Sequence, residues 1–318
     1  MDPRAGDEEL ARRFELRRGR LHAVAYRMLG SASEAEDAVQ ETWLRLVRTG
    51  AEGIDNLPGW LTTVVSRVCL DLLRARTARR EDPYGHDAPE VSGGGDGAPE
   101  QEAVLADSVG VALLAVLDTL SPPERVAFVL HDVFAVPFTQ VAAVVDRSQP
   151  AAKKLASRAR HKVRGVPSVS AAELERHRVV VERFLAAARG GDLGALLDVL
   201  APDVVRRADP AALPAGAPAE LRGARAVARG TVALRARARY AAAALVGGRV
   251  GAVVAPAGRL LFALDITVRE DQITAYEVIA DPAALSRLPL SVLDAPESTE
   301  PTEPAEPAEA GAAPGDRS

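Results

Sequence analysis

The stretch that decides the fold is Phe138–Arg164, FTQVAAVVDRSQPAAKKLASRARHKVR. A short apolar helix, 138–145, leads into the polar turn Asp146-Arg147-Ser148, and a longer basic helix, 149–164, follows. That succession is the phrasing of a helix-turn-helix. In such a unit the second helix enters the major groove of DNA and presents its N-terminal residues to base edges. Ser148, Gln149, Lys153 and Lys154 are the candidates for that role. Arg158, Arg160 and Lys162 lie farther along and suit phosphates, and Ser157 belongs to the same duplex-facing set. Phosphate contacts supply affinity and base contacts supply sequence choice. A solvated basic face on an ordinary helix is the competing reading.

The charge distribution around this stretch is uneven although the whole chain of 318 residues carries a formal charge of only −5. Between Arg147 and Arg164 there are seven Lys or Arg and no acid, whereas 81–108 holds eight Asp or Glu and no Lys or Arg. The first pattern fits a phosphate-contacting surface and the second a solvated spacer. Pro83, Pro89, Gly93-Gly94-Gly95, Gly97 and Pro99 mark that spacer as a flexible linker. Cys69 is the single cysteine, which excludes a disulfide framework and a thiolate zinc site. The acidic start of the chain is unlike a secretory signal, and no apolar run approaches the roughly 18 residues that span a bilayer. A cytoplasmic protein without membrane contact, cofactor or metal is expected.

Upstream, 7–80 reads as three helices. Leu10, Phe14, Leu21, Ala25 and Met28 form one apolar stripe, closed by Gly30. Ser33 with Glu36 reads as a capping box opening a second helix with the stripe Ala35, Val39, Trp43 and Leu46. The third helix runs from Gly59 to about Arg80 and buries Leu61, Val64, Val65, Val68 and Leu72. Downstream of the linker, a helix at 109–120 precedes Ser121-Pro122-Pro123-Glu124, a strong helix start, and the helix behind it is expected to reach Phe134. Past Gly165 and Pro167 the pattern changes. Helices at 171–189, 193–200 and 224–237 are followed by apolar bursts at 242–246, 250–255, 259–269 and 272–279, which are strand signals. The expected organisation is therefore two all-α modules, 7–80 and 109–165, joined by the linker 81–108, an α+β unit at 171–290, and an acidic tail at 291–318 that composition marks as disordered.

Two further segments carry a family resemblance. "YRMLGSASEAEDAVQETWLRL" with "LPGWLTTVVSRVCLDLLRARTARRE" resembles the second conserved region of extracytoplasmic-function sigma factors, and "LDTLSPPERVAFVLHDVF" with the helix-turn-helix resembles their fourth. The likeness covers about half the chain, in the expected order. It implies partners in core RNA polymerase and promoter DNA. Asp37, Gln40 and Glu41 would meet the polymerase clamp helices. Asn56, Trp60, Thr63, Arg67, Arg74 and Arg76 would open and hold the minus-ten element, and the basic helix would read the minus-thirty-five element as duplex. Melting requires unpaired bases to be captured while cations track the backbone. Trp60 also reads as simple core.

The 171–290 unit resembles the SnoaL-like branch of the NTF2-like fold, a curved sheet with helices enclosing a pocket. A subgroup of these sigma factors carries such a domain, which modulates activity from within the chain, and Asp281-Pro282 with Leu285 resembles its closing motif. Arg207-Ala208-Asp209-Pro210-Ala211 replaces its glycine-rich motif, and the Pro/Trp motif of its linker is absent. The fold also hosts enzymes, so fold alone settles nothing. His177 reads as surface, and Asp209, Asp265 and Glu277 are lone carboxylates that could line a pocket, so no catalytic residue is assigned. A small-molecule ligand is a partner that this unit allows. The alternative is a one-component helix-turn-helix regulator with a ligand-binding domain, which has no use for the face of Asp37, Gln40 and Glu41.

Overall fold

The structure, a computed structural model, describes residues 3–50, 53–81, 108–213 and 216–293. The expected linker and acidic tail lie almost wholly outside the described residues. The first module packs α1 (Pro3–Leu29), α2 (Ala32–Thr49) and α3 (Leu57–Glu81) against one another. Phe14, Leu21, Ala25 and Met28 are buried, as the stripe requires. The start of α2 is shifted: Ser31, not Ser33, caps it, its Oγ accepting the Glu34 N–H at 3.4 Å. Gly30, with φ +78°, turns the chain so that Ser31 is extended and Ser33 already helical. Glu36, released from a capping box, pairs with Arg18 of α1 instead. Helix α3 begins two residues before Gly59 because the Asn56 Oδ1 accepts the Gly59 N–H at 3.0 Å and supplies the cap.

The second module comprises α4 (Ser108–Asp118), α5 (Pro122–Phe128), α6 (Phe138–Val145) and α7 (Gln149–Arg164). The capping box at Ser121 and Glu124 forms as read. The helix behind it does not continue to Phe134 as an α-helix. It widens into a π-helical turn, Val129–Val133, where the Phe134 N–H reaches the Val129 carbonyl at 3.2 Å. Ala135, at φ +54°, then reverses the chain. Such turns occur mostly as single insertions in helices, often at functional sites.

The third unit carries α8 (Ala171–Gly190), α9 (Leu193–Val199), α10 (Ala224–Ala233), α11 (Arg235–Ala238) and α12 (Pro282–Arg287) around a seven-stranded sheet. Its strands are β1 (Leu200–Ala208), β2 (Glu220–Arg222), β3 (Ala241–Val246), β4 (Arg249–Val254), β5 (Phe262–Arg269), β6 (Gln272–Ile279) and β7 (Leu290–Ser291), in the order β2-β1-β6-β5-β4-β3-β7. Among the described residues only the β1–β6 pairing is parallel. β1, β2, β7 and α12 are absent from the sequence reading, and the expected helix at 224–237 divides at Leu234.

The sheet is buried on both faces, which explains why its strands read as apolar runs rather than as alternation. Ala241, Val254, Phe262 and Leu264 join a core under α8 and α10. Their neighbours Ala242, Val253 and Ala263 join the continuous core of the two helical modules, where α4 lies against β3. Three units thus share one interior. At one junction Gly30 and Gly258 meet so closely that a Cβ on Gly258 would stand 2.7 Å from the Gly30 Cα. Both also have left-handed φ, +78° and +67°, so each position requires glycine twice over.

Cys69 on α3 sits in this shared interior, fully buried. Burial pushes its thiol up to about 12, and the charge of nearby Arg125 offsets only part of that. The thiolate is the reactive form, so folded protein at pH 8 is expected to resist Ellman's reagent until denaturant is added. Fast labelling of the native chain would refute the closed packing of α3.

Candidate nucleic-acid and polymerase interface

The helix-turn-helix is assembled by local rules. Asp146, in the left-handed region at φ +55°, ends α6, and the Ser148 Oγ accepts the Ala151 N–H at 3.4 Å to open α7. Pro150 in the first turn suits a position where no N–H is needed. Helix α7 buries Ala152, Ala156, Ala159 and Val163, a stripe at helical spacing. The opposite face leaves Ser148, Gln149, Lys153, Lys154, Ser157 and Arg158 exposed. Lys153 stands 5.9 Å from the Phe138 ring. Arg160 and Lys162 are engaged within the module. The Arg160 Nε donates to Asp132 Oδ1 at 2.6 Å, and the Lys162 Nζ lies 3.1 Å from Glu124 Oε2. The π-helical turn is what carries Asp132 to Arg160.

On α2, Asp37 and Gln40 are exposed and Glu41 is half-buried. A hydrogen bond from Arg45, with the charges of Arg45 and Arg48, holds the Glu41 carboxyl below its ordinary range. Two residues missed by the sequence reading extend this face. Leu44 and Val47, 54% and 52% exposed, follow Gln40 at four and seven positions and leave an apolar strip beside the carboxylates. Large exposed apolar side chains at helical spacing, outside the buried stripe, were the legible signal.

On α3, the candidate residues are placed unequally. Asn56 is exposed and caps the helix. Trp60 is half-buried and packs against the core. Arg74 is exposed, 3.6 Å from Asp71. Arg76 is turned inward, donating to the Leu29 carbonyl at 3.0 Å and pairing with Glu34. Thr63 and Arg67 face the second module. The Gln140 Nε2 of α6 donates to the Gly59 carbonyl at 2.6 Å and to Thr63 Oγ1 at 3.2 Å, and an Arg67 Nη donates to the Ala143 carbonyl at 2.8 Å. The middle of the α3 face is therefore covered by the first helix of the helix-turn-helix.

In the third unit, none of the three carboxylates singled out from the sequence lines the cavity. Asp209 accepts the Ala280 and Asp281 N–H groups, Asp265 pairs with Arg249, and Glu277 is exposed. Among the described residues no group of three or more His, Cys, Asp or Glu side chains could hold a metal ion, and no helix is long and apolar enough to cross a membrane.

Residues 14–79 match Sigma-70 region 2, and residues 110–163 match Sigma-70, region 4. The chain is 39% identical over 297 residues to the ECF RNA polymerase sigma factor SigJ of Mycobacterium tuberculosis, covering 87% of this chain and 93% of that protein. The chain belongs to the extracytoplasmic-function sigma factors. These are promoter-specific initiation factors of RNA polymerase and not enzymes. The probable ECF RNA polymerase sigma factor SigI of the same organism is 40% identical over 190 residues, 58% of this chain and 65% of that protein. The crystal structure of SigJ from Mycobacterium tuberculosis is 38% identical, covers 86% of this chain and 96% of that one, and superposes with a TM-score of 0.42. The match to region 2 removes the alternative of a one-component regulator, in which α1–α3 would have no role.

Proposed function

We propose that this sigma factor docks on polymerase through Asp37, Gln40 and Glu41 with the Leu44 and Val47 strip, holds the minus-ten element on α3, and reads the minus-thirty-five element with the exposed face of α7. A carboxylate face with an apolar strip suits a basic partner helix, charges steering the encounter and the buried apolar contacts adding affinity. In the arrangement described above the factor is at rest. The observation that carries this reading is the contact of Gln140 and Arg67 across α3 and α6. Promoter elements named ten and thirty-five are about 25 base pairs apart, roughly 85 Å of duplex, so modules in contact cannot occupy both. The 26 residues between Glu81 and Ser108 extend to about 90 Å at most, enough for that span.

The third unit, read as SnoaL-like, holds the resting arrangement: α4 packs on β3, the Leu260 N–H donates to Asp118 Oδ2 at 3.2 Å, and the Val292 N–H donates to the Val163 carbonyl at 2.9 Å. Its cavity is the place for a small-molecule ligand. The work is placed in the cytoplasm, beside polymerase and DNA. The test is run-off transcription with purified core enzyme, comparing full-length protein with chains ending near Gly165 and near Leu293. Promoter-specific transcripts that change in level between these forms are expected. No transcript and no core binding from any form would overturn the assignment.

Gln140→Ala removes the two hydrogen bonds across α3 and α6 without altering either proposed DNA surface. Two net hydrogen bonds at about 0.5–1.5 kcal/mol each amount to about 1–3 kcal/mol, so promoter binding by the holoenzyme is expected to rise about 5- to 150-fold. Unchanged binding would separate this contact from regulation. On α7 two arginines are expected to behave differently. Arg158→Ala is expected to lower the slope of log affinity against log salt by about 1 for duplex containing the minus-thirty-five element. Arg160→Ala, which breaks the pair with Asp132, is expected to lower thermal stability with little change of slope. Equal slopes for both variants would show that Arg160 leaves Asp132 for phosphate.

A further inference from the structure

The cavity of the third unit lies between the sheet and helices α8, α10 and α11. It encloses about 60 Å3 of space, with further room where it opens to solvent. Its walls are largely apolar, with Phe184, Leu185, Val254, Phe262 and Leu264 prominent. Four polar side chains, Arg206, Thr231, Arg237 and Tyr276, are among its lining residues. Arg206 on β1 and Tyr276 on β6 are register partners, and the Tyr276 hydroxyl is 3.0 Å from Thr231 Oγ1.

Arg206 is the unusual member. It is 4% exposed and donates one hydrogen bond, at 2.6 Å, to the Pro218 carbonyl, while its Nε is buried with no hydrogen-bond partner. Among the described residues no carboxylate lines the cavity and none pairs with Arg206. A buried guanidinium without a countercharge is costly, and the fold tolerates it where a ligand supplies the missing anion. The approach to the cavity has the same sign. Arg237 lines the cavity, and Arg235 and Arg239 are exposed beside it on or next to α11. A basic approach to an apolar cleft concentrates anions.

We propose that this cavity binds an amphiphilic monocarboxylate, its carboxylate on Arg206 and its apolar tail among Phe184, Phe262 and Leu264. This deepens the reading of the third unit as a ligand-binding domain and rests on it. A single guanidinium matches a single negative charge, and its planar fork matches a carboxylate in geometry. The ligand is held by charge and tail together, since neither wall nor cation alone fills the site.

The test uses full-length protein and two probes of equal chain length, octanoate and 1-octanol, titrated by calorimetry. Octanoate is expected to bind about 10-fold or more tightly than 1-octanol. Arg206→Met, which preserves length and removes the charge, is expected to reduce octanoate to the level of 1-octanol and leave 1-octanol unchanged. Leu264→Trp, which fills the cavity, is expected to abolish both. Should Arg206→Met fail to fold, Arg206→Lys serves instead, with octanoate still preferred but by a smaller factor. Equal binding of the two probes to the native chain overturns the anion assignment while leaving a ligand site in place. No binding of either probe overturns both. Binding of octanoate that survives Arg206→Met undiminished places the anion on the outer arginines and overturns the role of Arg206.

Discussion

Protein carrying both Asp37→Lys and Glu41→Lys is expected to lose core-polymerase binding by about 100-fold or more, because each reversal sets a like charge against a basic partner at a cost of several kcal/mol. The fold is expected to survive. Asp37 is exposed, and Glu41 makes solvent-screened surface pairs with Arg45 and Arg48 that add little to stability. Circular dichroism of the variant should match the parent, and gel filtration with core enzyme should show no shared peak. Leu44→Ser provides a second reading of the same face, weakening docking without touching charge. Core binding retained by the charge-reversed protein would move the docking surface elsewhere on the first module.

The largest expected effect on stability comes from Arg125. Its side chain is 1% exposed, and its guanidinium lies 3.4 Å from Asp118 Oδ1, itself nearly buried. Arg125→Ala removes one partner of a buried ion pair, which costs about 3–5 kcal/mol. Adding Asp118→Asn removes the remaining charge and is expected to restore part of the loss. Urea unfolding followed by near-ultraviolet dichroism provides the readout. Asp118 also accepts the Leu260 N–H from the third unit at 3.2 Å, so the same variant should loosen the junction between α4 and the sheet and speed proteolysis there. A loss below about 1 kcal/mol would mean that water or another cation reaches Asp118.

Sequence reading succeeded where the decisive forces are local. The turn at Asp146-Arg147-Ser148 before α7, Ser121 and Glu124 opening α5, and Gly30 ending α1 are short-range hydrogen-bond and backbone rules, and each holds in the structure. Register and pairing were illegible for the opposite reason. Strand β1, LAPDVVRRA, carries two arginines and a proline and shows no strand pattern, yet it is held in parallel by β6 some 70 residues away. Its buried Arg206 makes sense only beside a cavity closed by α10 and Tyr276.

The residues of this chain determined by themselves that it would form two helical modules with a basic helix-turn-helix and an appended α+β unit, because periodicity, caps and turn residues act over a few positions. Tertiary structure alone decided that α6 lies on α3, that Arg160 and Arg76 are braces, and that the sheet divides its two faces between a cavity and the sigma core. Those outcomes depend on which distant surfaces exclude water from one another, and no short window of sequence contains both partners.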